Sequence, residues 1–351
     1  MPQLTNAERV FRVLDLKEPD VVPHFEFLIN KKVRDAILPG ATYEKFVDFM
    51  DLDAVVVFDK IGWSYETLDV EKKITRDQWG AIVRFTSEDI GHPMEACIKS
   101  EKDLDIYVPP DPDHPWRYEK LKALVERYKG RRAIIATVYD VFDVARESLL
   151  GDVAYFKYMI TNPELVDRAN DIVLNYQLGY LRNCIDIGAD IIMVTGDFAT
   201  TQGPMVSPKH TARFLIPPLQ KMVEYVQSRG VRIIKHSDGN IWKIFDLIVE
   251  TGVNGVHPID PEAGMDIGEA KVKYGDKVCL LGNIDCGPLL SWGTVEEVRQ
   301  AVKECIRKAG MGGGLICMSS NSIHSAVNPE NYVAMVKAIR EYGKYPLALT
   351  Y

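Results

Sequence analysis

The stretch VRIIKHSDGNIWKI, residues 231–244, runs from a short, largely apolar, β-branched segment straight into His236, Ser237, Asp238 and Gly239. A strand that ends in ionisable groups is the signature of a barrel stave opening onto a site at its carboxyl end. Seven more runs repeat the pattern: VVPHFEF (21–27), AVVVFD (54–59), AIIATVYD (133–140), IIMVTGD (191–197), GVHPI (255–259), VCLLGNID (278–285) and GLICMSS (314–320). Between them lie segments of helical period. SPKHTARFLIPPLQKMVEYVQSRG opens on Ser207-Pro208 and closes at Gly230. TVEEVRQAVKECIRKAG has Thr294 as cap, early glutamates, late basic residues and Gly310 as terminator. Eight βα units predict the α/β class and a (β/α)8 TIM barrel, and no GxGxxG follows the first run to indicate an open doubly wound sheet.

Composition excludes several roles. Hydrophobic residues are 46% and charged residues 26% of 351, which predicts a well-packed globule. No run approaches the roughly 18 apolar residues of a membrane span, and the N-terminus lacks a signal pattern, so a cytoplasmic protein without a membrane partner is expected. The six cysteines have no CxxC or zinc-finger spacing and read as reduced thiols. A net charge of −8 without a basic block argues against nucleic acid as partner.

Two segments break the rhythm. KKITRDQWGAIVRFTSEDIG (72–91) alternates around Trp79-Gly80, which predicts a β-hairpin inserted after the second strand, and IYVPPDPDHP (106–115) reads as loop. The expectation is one barrel domain over 1–351, with 61–115 as a rim or lid.

If the staves converge on one mouth, their polar ends define it: His24, Glu26, Asp59, Lys60, Tyr139, Asp140, Asp197, His236, Asp238, His257, Asn283, Asp285, Ser319, Ser320 and Asn321. Any one of these has an ordinary alternative, a histidine satisfied in the core or an aspartate capping a helix. Asp238-Gly239-Asn240 in particular reads as a turn in which at least one side chain caps the next helix. His236 and Asp238, two apart, share one face of a regular strand and can serve together as metal ligands or in proton transfer.

The succession GPMVSPKHTARFLIPPLQKMVEYVQSRG, IIKHSDGNIWKIFDLIVETGVNGVHPIDPEAGMDI, LLGNIDCGPLLSWGTVEEV and SSNSIHSAVNPENYVAMVKAIREYG resembles the uroporphyrinogen decarboxylase superfamily, most strongly over about residues 196–343. That resemblance implies a (β/α)8 barrel and either cofactor-free decarboxylation of a porphyrinogen or methyl transfer involving a corrinoid. Decarboxylases of the superfamily share an arginine-rich, RQAGR-like segment that binds substrate carboxylates. Here the corresponding VVPHFEFLINKKV (21–33) puts His24 and Glu26 where positive charge is needed. The methyltransferases acting on coenzyme M hold zinc through His-x-Cys and a later Cys; here those places read His236-Ser237-Asp238 and Asn321, with oxygen in place of both sulfurs.

The wording HSDGN (236–240) and SSNSIHS (319–325) is more similar to the methyltransferase components of O-demethylases. This branch implies methyl transfer from a methoxylated aromatic compound to the cob(I)alamin of a separate corrinoid-binding protein, and a homodimer is allowed for. On that reading His236, Asp238 and Asp197 are the catalytic residues. His24, Glu26, Tyr139, His257, Asn283, Asn321 and Ser319 bind substrate. His236 and Asp238 are the candidate metal ligands, with zinc the ion to test. Phe25, Phe27, Tyr139, Phe142, Phe198 and Trp292 are the pool for a ring slot, of which fewer than half are expected to touch substrate. The alternatives are a lyase acting on a carboxylated substrate, for which Lys60, Lys235 and Arg146 are the cations to follow, and a methylcorrinoid:thiol or other-donor methyltransferase.

Overall fold

The computed structural model describes residues 3–58, 66–86 and 91–347. Seven parallel strands form one curled sheet in chain order: β1 Ala54–Val57, β2 Ala133–Tyr139, β3 Ile191–Thr195, β4 Arg232–His236, β5 Gly255–Ile259, β6 Cys279–Ile284 and β7 Leu315–Ser319. Their residues are buried on both faces, which is why the sequence shows continuous apolar runs. Alternate positions split into two cores. Ala54, Val56, Ile135, Met193, Ile234, Leu281 and Met318 fill the barrel interior. Val55, Val57, Ile134, Ile192, Ile233, Leu280 and Cys317 pack outward against the helices.

The eighth run, 21–27, is not a ladder strand. It makes only isolated bridges, Val21 to Lys344 and, just beyond it, Ile29 to Ile323. It still fills the gap between β1 and β7: Asp53 N–H donates to the His24 carbonyl at 2.8 Å, and Cys317 N–H to the Pro23 carbonyl at 3.2 Å. Pro23 has no N–H to donate, which demotes a would-be central strand. Side chains complete the seam. Asp53 Oδ2 accepts from His24 N–H at 2.7 Å, and Glu26 Oε1 accepts from Ser319 N–H at 3.3 Å.

The opposite end of the barrel is plugged by helix Asn6–Leu14, opened by a Thr5/Glu8 capping box. Its Ala7, Val10, Val13 and Leu14 join the interior core, each Val or Leu contributing about 1.5–3 kcal/mol by burial. Thr294 and Glu297 form the expected capping box of helix Val295–Ala309, but Gly310 ends it with φ −73° rather than in the left-handed region. The segment after Ser207 is broken into helix Pro208–His210, a wider-turned stretch Thr211–Leu215, and helix Ile216–Ser228. Pro218 has no N–H for the Phe214 carbonyl; buried Asn170 donates to it instead, at 3.2 Å.

Where a hairpin around Trp79-Gly80 is expected, Ile74–Arg76 and Ile82–Arg84 pair antiparallel within a four-stranded sheet completed by Glu66–Asp69 and His92–Glu95. Trp79 is buried against Tyr176, ring centroids 4.8 Å apart, and its carbonyl accepts from Tyr107 Oη at 2.9 Å. All six cysteines are free thiols. No described helix is long and apolar enough to cross a membrane.

Candidate active site

Alternation along β4 builds the site. Ile234 lies in the barrel interior, so His236, two residues on, points the same way at the carboxyl end, while Lys235 points outward. The ladder places His236 level with Thr195 on β3 and His257 on β5. Past the strand ends, Asp238 N–H donates to Asp197 Oδ1 at 2.8 Å, drawing the two loops together. His236 Nε2 then faces Asp238 Oδ1 at 3.6 Å and Asp197 Oδ1 at 3.8 Å. One ligand atom from each of these three residues lies within 4.8 Å of the others. Asn321 donates to Asp238 Oδ2, which leaves the buried Oδ1 without a hydrogen-bond partner.

Gly239 lets this loop sit against its neighbour: at φ +87° a Cβ would lie 2.5 Å from the Thr200 carbonyl oxygen. Asn240, not Asp238, takes the capping role of the turn, accepting from Trp242 N–H at 3.3 Å.

Phe27 stacks on the His236 ring with centroids 4.5 Å apart, and Phe58 meets Phe27 edge-on at 5.0 Å. Burial, aided by the Lys235 charge, pushes His236 down to about 3, so its imidazole is neutral. Burial and then the neighbouring Asp197 and Asp260 push Asp238 well above the usual carboxylate range; burial raises Asp197 too. A neutral imidazole nitrogen, two crowded carboxyls and one unpartnered buried oxygen form a donor set that fits a divalent cation, zinc among them. With Nε2 as ligand, His236 Nδ1 carries the proton and donates to His257 Nδ1, 2.7 Å away.

The family description "Uroporphyrinogen decarboxylase (URO-D)" matches residues 47–342. The chain belongs to the uroporphyrinogen decarboxylase family. A uroporphyrinogen decarboxylase from Psychromonas ingrahamii is 25% identical over 83% of this chain and 79% of the relative. A methylcobamide:CoM methyltransferase MtbA from Methanosarcina acetivorans is also 25% identical, over 64% of this chain and 62% of the relative. Equal identity to both activities does not choose between them. A solved methyltransferase from Methanosarcina mazei shares the fold, with TM-score 0.77 at 21% identity over 97% of this chain and 99% of that one. The protein is thus an enzyme of the uroporphyrinogen decarboxylase superfamily, a methyltransferase or a decarboxylase.

Within this family fold, the expected site residues fall into two groups. Asp197, His236, Asp238, His257 and Asn321 come together as described. Tyr139, half-buried at the carboxyl end of β2, packs against the outer core instead of joining this cluster. His24, Glu26 and Ser319 do not join them. On the seam Phe25 and Phe27 take the inward face, so His24 and Glu26 turn outward, where His24 packs on Tyr332 of helix Pro329–Tyr342. Ser319 is outward as well, its Oγ bonded to Glu26 Oε2. Asn283 donates its amide to the carbonyls of Ile259 at 2.7 Å and Met265 at 3.3 Å, a bracing role between β5 and β6.

Of the aromatic pool, Phe142 and Phe198 lie in the outer core, and Trp292 is 78% exposed. Asp285 caps its own turn, accepting from Gly287 and Leu289 N–H. Asp59 and Lys60 lie outside the described residues. Two participants escaped the sequence reading. Phe58 was recoverable from its two-residue spacing with inward Ala54 and Val56. Asp143, which accepts from Asp197 N–H at 3.2 Å, lies on the helix after a strand, where strand-end reasoning does not look.

Proposed function

We propose that the protein is the methyltransferase component of an O-demethylase system, moving methyl from a methoxylated aromatic compound to the cob(I)alamin of a corrinoid-binding partner. The observation that carries this reading is the Asp197/His236/Asp238 cluster walled by Phe27 and Phe58. In the reaction the methyl carbon–oxygen bond breaks, its electron pair leaves with the phenolate, and the cobalt supplies the pair for the new bond. Cob(I)alamin is a strong nucleophile, so the enzyme's task is the leaving group. A divalent cation held by His236, Asp197 and Asp238 would supply Lewis-acid stabilisation of the phenolate oxygen. His257 sets the His236 tautomer, Asn321 and the backbone orient the carboxyls, and the two phenylalanines offer an apolar surface to the ring.

Two observations weigh against the alternatives. Lys235 is bonded to Asp140 and Gly196, and Arg146 is surrounded by Asp143, Glu147 and Asp152, so neither of these cations is open to a polycarboxylate. No sulfur belongs to the described cluster, which disfavours a zinc–thiolate site for thiol alkylation.

The test is anaerobic: protein, reduced cobalamin or a competent corrinoid protein, zinc, and a panel of methoxybenzenes, methoxyphenols and methoxybenzoates, with methylcobalamin followed by absorbance. Turnover of one or a few ethers, abolished in His236→Ala, is the expected result. No turnover across the panel, or undiminished turnover in His236→Ala, overturns the proposal.

A further inference from the structure

Behind the cluster, two ionisable side chains grip a single peptide group. Lys235 is fully buried, and its Nζ donates to the Gly196 carbonyl at 2.8 Å and to Asp140 Oδ2 at 2.9 Å. The N–H of the next residue, Asp197, donates to Asp143 Oδ2 at 3.2 Å. The Gly196 carbonyl and the Asp197 N–H are the two ends of one planar amide, so holding both fixes the plane from which the Asp197 side chain departs.

Both partners are anchored in turn. Asp140 donates its N–H to the Thr195 carbonyl at 2.6 Å and accepts from Phe142 N–H at 2.9 Å. Asp143 is paired with Arg146 at 2.9 Å. The grip also requires glycine at 196. Its φ is +153°, and a Cβ would lie 2.6 Å from Asp140 Cβ and 2.7 Å from Asp143 Oδ2.

Packing alone does not explain a lysine here. A buried ion pair contributes little net stability compared with apolar residues of similar volume. Lys235 spends its second hydrogen bond on the backbone of a site residue, and Asp197 in turn receives the Asp238 N–H.

We propose that Lys235 and Asp143 are positioning residues: they lock the Gly196–Asp197 peptide so that the Asp197 and Asp238 carboxyls stay aimed at one divalent cation. This rests on reading the cluster as a cation site. The experiment is titration of the metal-free protein with Co2+, followed by visible absorption and chelator competition, with a thermal melt of each variant as folding control.

Lys235→Met combined with Asp140→Asn removes both charges and keeps an oxygen for Phe142 N–H. Asp143→Leu removes the second grip, while Asp143→Asn keeps an acceptor for Asp197 N–H. The double variant and Asp143→Leu are expected to bind Co2+ roughly 10–100-fold more weakly, with altered absorption bands, and Asp143→Asn to recover most of the affinity. Folded variants that bind Co2+ as the wild type does overturn the positioning role while leaving the cation site intact. A wild type that takes up no Co2+ overturns the cation site and, with it, this proposal. Should the double variant fail to fold, the Asp143 pair decides the question.

Discussion

His236 and His257 meet Nδ1 to Nδ1 at 2.7 Å across the ladder between β4 and β5, so one ring donates and the other accepts. The direction of that one proton decides whether His236 Nε2 offers a lone pair or a hydrogen to the carboxyls in front of it.

His257→Phe keeps a ring in the stack and removes the acceptor. Zinc affinity, measured by calorimetry on the metal-free protein, is expected to fall roughly 10–100-fold. Unchanged affinity would reduce the pair to packing.

Asn321→Leu tests the orientation of Asp238. Losing a hydrogen bond to a charged group costs about 1.5–3 kcal/mol, so kcat/KM with an active ether is expected to drop roughly 10- to 150-fold. The variant should melt close to wild type, since Asn321 is half-buried at the mouth rather than in either core. A large fall in melting temperature with normal kcat/KM would contradict this.

Glu26 gives a pH-dependent prediction. Burial raises its carboxyl from an ordinary value of 4.5 to about 8. Between those values the folded chain holds a proton that the unfolded chain has released, so this group's contribution to stability falls as pH rises and levels off above about 8. The full effect is on the order of 5 kcal/mol. Glu26→Gln keeps an oxygen for the Ser319 hydroxyl and, in place of the longer bond from Ser319 N–H, brings an N–H toward His24 Nε2, which lies 3.5 Å from Oε1 and has no partner. Urea unfolding should show the variant gaining on wild type from pH 5 to pH 9. Parallel stability curves would exclude a neutral Glu26.

The parts of this molecule that were legible in sequence are those governed by local periodicity. Ile234 and His236 share a face by two-residue alternation, and the same rule carries Phe58 inward after Ala54 and Val56. That rule names the two faces but not which one is the barrel interior. In HFEF both faces are buried, so the choice between His24/Glu26 and Phe25/Phe27 depends on tertiary packing. Pro23 was the local sign that this run would not ladder. Asn283 has the residue type of a substrate ligand, and its bonds to Ile259 and Met265 exist only after β5 and β6 are laid side by side. Asp143 reaches Asp197 across 54 positions of chain, a contact no local pattern encodes.

The side-chain seam has a consequence for how this enzyme can diversify. Backbone ladders are nearly indifferent to which residue occupies a rung, so the pairing of the seven laddered strands does not hang on particular side chains. The join at residues 21–29 has only a few backbone bonds and leans on the Asp53 and Glu26 side chains as well, and that part is open to revision one codon at a time. Because Phe27 sits on that stave and covers His236, each revision of the closure also reshapes the wall that a substrate meets. The easiest place to alter the barrel's architecture is thereby also a place where its selectivity can be retuned.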